Sequence, residues 1–177
     1  MDTIKKLSDY ALLTGKPQRF LGVPKTIDND LALTDHTPGY GSAAKYIATS
    51  VKEVIRDGNG FSYKKQLVTI IEIMGRNAGW LTGAAALAKG EDCEGVDLIY
   101  LPEVPFDIEA FLAKVRSLLE HKNTVFVAIS EGIRLADGTY VSQAGGGSDY
   151  VDAFGHKQLT GSATYLANLI SLSLIHI

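Results

Sequence analysis

The chain has 177 residues, enough for one sizeable core, and its 46% hydrophobic and 21% charged content is ordinary for a globular protein. A net charge of −3, with no basic run beyond Lys5-Lys6 and Lys64-Lys65, excludes the electrostatic footprint of a nucleic-acid binder. No apolar run approaches the roughly 18–20 residues of a membrane span, an N-terminus carrying Asp2 and Asp9 is no signal peptide, and the lone Cys93 excludes an internal disulfide framework, so the composition suits a cytoplasmic protein.

In chain order, Asp2–Leu13 predicts a helix, with Ile4, Leu7, Ala11 and Leu12 on one face and Gly15 as its stop. Residues 19–23 read as a short buried parallel strand. A polar loop follows, then a helix over 41–57 with Ala44, Ile47, Val51, Val54 and Ile55 at helical spacing. Leu67–Ile73 is a β-branched strand, 77–89 a helix of small residues ending at Gly90, and 96–101 another strand. Asp107 caps the cleanest 3.6-residue period in the chain, through Ile108, Phe111, Leu112, Val115, Leu118 and Leu119. Residues 124–129 form the next strand. Asp137-Gly138 and Gly145-Gly146-Gly147 mark a long loop, and 160–170 a final helix. Strands alternating with helices predict an α/β fold with mostly parallel sheets flanked by helices.

The chemistry concentrates in Pro24-Lys25-Thr26-Ile27-Asp28-Asn29-Asp30. Placed after a strand, this run occupies the end of a sheet where open α/β folds bind ligands. Asp28 can accept a proton, Asp30 can hold or orient a metal-bound phosphate, and Lys25 and Thr26 can contact phosphoryl oxygens. Taken alone, Asp-Asn-Asp is ordinary turn chemistry. Three further segments weigh against the turn reading: Ile73-Met74-Gly75-Arg76 after one strand, Ile129-Ser130-Glu131-Gly132 after another, and Phe154-Gly155-His156-Lys157-Gln158 before the last helix. Arg76 at a helix start is a natural anion site, although a surface salt bridge is its plainer role. Met74 can equally be a core filler, Glu131 a loop residue and His156 structural.

These four segments, in this order, resemble the signature segments of phosphofructokinases, and the resemblance runs from the N-terminus to about Ile170. It implies a two-lobe fold and transfer of a phosphoryl group from pyrophosphate or ATP, with Mg²⁺, to the 1-hydroxyl of fructose 6-phosphate in glycolysis. It makes Asp28 the general base, with Thr26, Asp30 and Lys25 beside it. Met74, Gly75, Arg76, Glu131 and His156 become the sugar-phosphate contacts. Lysine at position 25 is the residue of the pyrophosphate-dependent type, where ATP-dependent members have glycine. The chain departs from the ATP-type pattern at Leu159 and at Leu67, where arginines are expected, with Lys64 and Lys65 near the second. Trp80 is expected to pack rather than to bind ligand.

The same resemblance makes the chain an internal segment, truncated at both ends. A phosphate- and magnesium-binding loop is expected upstream of Met1, so no metal ligand set is expected within the chain. Residues 1–39 and 158–171 are expected to belong to a phosphoryl-donor lobe and 40–157 to a sugar-phosphate lobe. The parent is expected to be a homo-oligomer. Leu172-Ser173-Leu174-Ile175-His176-Ile177 is expected to be a non-native tail, because the codons CTG-TCT-CTT-ATA-CAC-ATC would encode it and match a sequencing-library transposon end. Two other functions compete. A nicotinamide oxidoreductase lacks its G-x-G-x-x-G turn. A non-catalytic regulatory homologue of the same fold is opposed by the intact Lys25–Asp30 run.

Overall fold

The computed structural model describes residues 2–60, 65–144 and 161–174. Its centre is a three-stranded parallel sheet of β1 (Leu67–Ile73), β2 (Leu98–Tyr100) and β3 (Thr124–Ser130), in the order β1-β3-β2. Register sets Leu67 opposite Thr124 and Ile73 opposite Ser130, so β1 and β3 end level with each other. On the other side Leu98 faces Val127. The central position of β3 explains its near-continuous apolar sequence, Val125 to Ile129, because both of its faces are covered.

Alternation along β3 divides the core in two. Val125, Val127 and Ile129 point to one side, where they meet Phe106, Phe111, Val115 and Leu119, the last three on α4 (Ile108–Leu119). Phe126 and Ala128 point to the other, against Val51 and Ile55 of α2 (Tyr40–Gly60) and Leu81 of α3 (Trp80–Gly83). The expected amphipathic face of α4 is the one that is buried. Its Asp107 cap forms as well, Oδ1 accepting the Ala110 N–H at 3.0 Å. Each large side chain buried this way contributes about 1.5–3 kcal/mol.

The first layer also takes in Val141 of the short α5 (Val141–Ala144), and Leu166 and Ile170 of α6 (Ser162–Leu174). The Glu72 carboxylate of β1 accepts the Ala163 N–H at 2.8 Å and so fastens the start of α6 to the end of the strand. The helix extends through Leu174, beyond Ser171.

The expectations are corrected in two places. Residues 19–23 are not a strand: their backbone is irregular, and Leu21 and Val23 are exposed. A strand exists only by pairing, and nothing among the described residues pairs with this segment. The expected helix over 77–89 is also broken up. It begins only at Trp80 as α3 and tightens into a 3₁₀ turn over Ala84–Ala88. Small alanines there let the backbone approach α2, and Ala85 and Ala88 are fully buried. Trp80 packs only partly and is 58% exposed. Near the N-terminus, α1 (Asp2–Leu13) forms as expected, with Ala11 its buried residue.

Candidate active site

The level ends of β1 and β3 are what build the site. The backbone leaves β1 through Met74-Gly75-Arg76 and leaves β3 through Glu131-Gly132, and the two loops interlock. The Glu131 N–H donates to the Ile73 carbonyl at 2.9 Å, and the Gly75 N–H donates back to Glu131 Oε1 at 3.3 Å. The buried Ser130 hydroxyl donates to the Gly75 carbonyl while accepting the Gly132 N–H at 3.1 Å. Gly75 has φ 142°. That is glycine territory, and a β-carbon there would lie 2.5 Å from the Ala78 carbonyl oxygen.

The loop that carries Asp28 folds over this pair. Its organiser is Asn29, which is buried and left-handed at φ 58°. Asn29 Nδ2 donates to the Asp35 carbonyl at 3.1 Å, and its Oδ1 accepts the Thr37 N–H at 2.9 Å. Asparagine suits this place because it tolerates the left-handed region and its amide can close a turn on both sides. The Asn of Asp28-Asn29-Asp30 is therefore the structural member, flanked by the two carboxylates. Thr26 Oγ1 accepts the Asp28 N–H at 3.1 Å, a turn-stabilising bond.

Asp28, Arg76 and Glu131 interact electrostatically although they come from three distant segments. Burial is the main influence on Asp28 and pushes its carboxyl above the usual range; the neighbouring Asp30 pushes it further, against the pull of the Arg76 guanidinium. Asp28 Oδ1 is shut from solvent and accepts no hydrogen bond among the described residues. Burial likewise raises Glu131, helped by the charges of Asp28 and Glu72 and opposed by the Gly75 N–H and Arg76. A half-buried carboxylate with a raised proton affinity is equipped to take up a proton.

The structure thus brings together Asp28, Asp30, Gly75, Arg76 and Glu131. Lys25 and Asp30 are exposed, and Met74 is 54% exposed. His156 lies outside the described residues, as do Lys157, Gln158 and Leu159. Among the described residues no group of three or more His, Cys, Asp or Glu is arranged to hold a metal. No described helix is long and apolar enough to cross a membrane.

Sequence reasoning missed the two residues that lock the site. Ser130 was visible as part of its motif, but nothing local indicates that its hydroxyl bridges to a glycine 55 positions away. Glu72 reads as a polar break in an apolar strand, and only the fold shows it capping α6. An apolar cleft of about 330 Å³, lined by Ile27, Tyr46, Ile47, Val54, Glu72 and Met74 among others, lies beside the site between α2 and β1.

The chain is similar to known proteins over nearly its whole length. A pyrophosphate–fructose 6-phosphate 1-phosphotransferase of Xanthomonas campestris is 49% identical over 166 residues, covering 94% of this chain and 39% of its own. An ATP-dependent 6-phosphofructokinase of Mycobacterium bovis is 36% identical over 148 residues, covering 83% of this chain and 39% of its own. The crystal structure of a pyrophosphate-dependent phosphofructokinase from Nitrosospira multiformis superposes with a TM-score of 0.74 at 36% identity, over 98% of this chain and 39% of that one. The chain therefore spans about two fifths of the length of these relatives. The phosphofructokinase family model matches residues 1–175, and the chain belongs to the phosphofructokinase family.

Proposed function

We propose that the whole protein transfers a phosphoryl group from pyrophosphate to the 1-hydroxyl of fructose 6-phosphate, in the cytoplasm and as part of glycolysis. The observation that carries this is the convergence of Asp28, Arg76 and Glu131 from three separate segments. In this reading Asp28 takes the hydroxyl proton, and Glu131 and Arg76 hold the sugar phosphate with Met74, Gly75 and His156. Phosphoryl transfer asks the protein mainly for position and charge neutralisation. Lys25, exposed at the start of the loop, favours pyrophosphate: its ammonium offsets the charge of a donor with no nucleoside to grip, and its stem narrows room for one.

A divalent metal, Mg²⁺ in our reading, fits these residues only in part. Magnesium is commonly held by one or two carboxylates plus phosphate oxygens; Asp30, exposed beside Asp28, would orient a phosphate carrying the ion, with the metal-binding loop expected outside this segment. When bound, the ion neutralises developing charge on the phosphates. The chain's own residues contribute the base, the sugar contacts and Lys25. The proposal includes a homo-oligomeric parent and two lobes, with 1–39 on the donor side. The packing of α6 against β1 and α4 supports drawing the second border beyond 157. A non-catalytic homologue is disfavoured by the intact Lys25-Thr26-Ile27-Asp28-Asn29-Asp30 run.

The test is a chimera of the Xanthomonas campestris relative in which this segment replaces its counterpart, assayed with pyrophosphate and with ATP. A higher specificity constant with pyrophosphate is expected. A higher one with ATP overturns the donor assignment, and transfer to neither fructose 6-phosphate arm overturns the reaction.

A further inference from the structure

The hydroxyl of Ser130 is a polar group in an apolar place. It lies on the face of β3 that carries Phe126 and Ala128, and the residue is fully buried. An alanine would fill that position with no polar atom to satisfy. A serine hydroxyl has one hydrogen, and here that hydrogen goes to the Gly75 carbonyl. Toward the Gly132 N–H, at 3.1 Å, the oxygen can therefore only accept. The polarity of the bridge is fixed, and both partners are main-chain groups of the two site loops. The Ser130 carbonyl also accepts the Ile133 N–H at 3.3 Å, so the loop after β3 closes on this one residue.

Gly75 is gripped at both ends by two consecutive residues. Its N–H donates to Glu131 Oε1 at 3.3 Å, and its carbonyl accepts from Ser130. A glycine at φ 142° has no side chain whose packing could hold it, so these two bonds decide how its peptides face. The peptide after Gly75 is planar, so fixing its carbonyl also fixes the nitrogen and Cα of Arg76. Ser130 thereby sets the point from which the Arg76 side chain departs, while Glu131 is tied to the same glycine. Arg76 and Glu131 are the charged groups of these two loops that interact with Asp28.

We propose that Ser130 is a positioning residue of this site, whose hydroxyl holds the Gly75 carbonyl and so directs Arg76 and Glu131 toward the phosphorylated sugar. This rests on the reading of the site as one for a sugar phosphate. Fully buried, Ser130 acts through Gly75 rather than on the sugar itself.

The test is NMR of the full 177-residue chain, reading its affinity for fructose 6-phosphate and the titration midpoint of the Glu131 carboxyl. Ser130→Ala removes the bridge and is expected to weaken fructose 6-phosphate binding about tenfold, the scale of one lost buried hydrogen bond. The Gly75 N–H pulls the Glu131 carboxyl down against burial, and a loosened glycine gives up that pull. The Glu131 midpoint should therefore move to higher pH. Asp28, Glu72 and Arg76, which also act on Glu131, are unaltered in the variant, and a loss of stability alone does not move the midpoint. Ser130→Cys keeps a weak donor and should fall between the two on both measures, which guards against an alanine variant that fails to fold. Affinity within twofold of wild type in both variants overturns the role of Ser130 and leaves the site reading standing. Weakened affinity with an unmoved Glu131 midpoint also overturns it, since Ser130 then does not act through Gly75. If the wild-type chain binds no fructose 6-phosphate, the sugar reading falls; a midpoint raised by Ser130→Ala then still sustains the hold on Gly75, and an unmoved one overturns both.

Discussion

A β-carbon on Gly132 would lie 2.1 Å from the carbonyl oxygen of Arg76. The loop after β3 and the loop after β1 thus touch backbone to backbone, with no side chain between them. That contact sets the spacing of Glu131 and Arg76, the charged groups that the two loops present around Asp28.

Gly132→Ala is therefore expected to force the loops apart. Overpacking of this kind costs about 1–3 kcal/mol. Urea denaturation of the chain should show a lower midpoint at an unchanged slope, and the Gly75 N–H should lose its bond to Glu131. A variant with wild-type stability would mean that the loops have room to separate freely.

Asp28→Asn keeps the shape of the loop and removes the proton acceptor. In the chimera with the Xanthomonas campestris relative, turnover is expected to drop by about 10²–10⁴-fold, the usual contribution of a general base. The Michaelis constant for fructose 6-phosphate should change little. Retention of most turnover assigns Asp28 to the turn alone.

The raised carboxyls of Asp28 and Glu131 carry a pH signature. A carboxyl raised on folding binds more protons in the native state than in the unfolded chain. Its favourable contribution is complete below the unfolded values, about 3.9 for Asp and 4.3 for Glu, and is lost as pH rises through the folded value. Asp28→Asn and Glu131→Gln remove that loss. Relative to wild type, both variants should gain in urea midpoint between about pH 4 and pH 7. A relative loss over that interval shows that attraction to Arg76 outweighs burial.

Lys25→Gly tests the donor. In the chimera it should lower the specificity constant for pyrophosphate about ten- to a hundredfold, the worth of one charge-assisted contact. The constant for fructose 6-phosphate should hold. If pyrophosphate use is unchanged, Lys25 does not touch the donor.

Much of this protein is legible in its sequence because the physics there is local. The period of α4 and its Asp107 cap depend only on neighbours within a turn, and both formed where the pattern placed them. The apolar run of β3 announced a parallel sheet, since strands covered on both faces are apolar nearly throughout. The motifs around Asp28, Gly75 and Glu131 could be read as a set from their order in the chain. Tertiary structure alone decided the rest. Residues 19–23 have the composition of a strand, but a strand needs a partner, and none of the described segments supplies it. Small residues over 77–89 suggested one continuous helix, and close packing against α2 tightened half of it into a 3₁₀ turn. The level ends of β1 and β3, the Ser130 bridge to Gly75, the Glu72 cap on α6 and the bond from Arg134 Nη2 to Asn77 Oδ1 join residues far apart in the chain. Such contacts follow from sheet register and loop direction, which no short stretch of sequence encodes by itself.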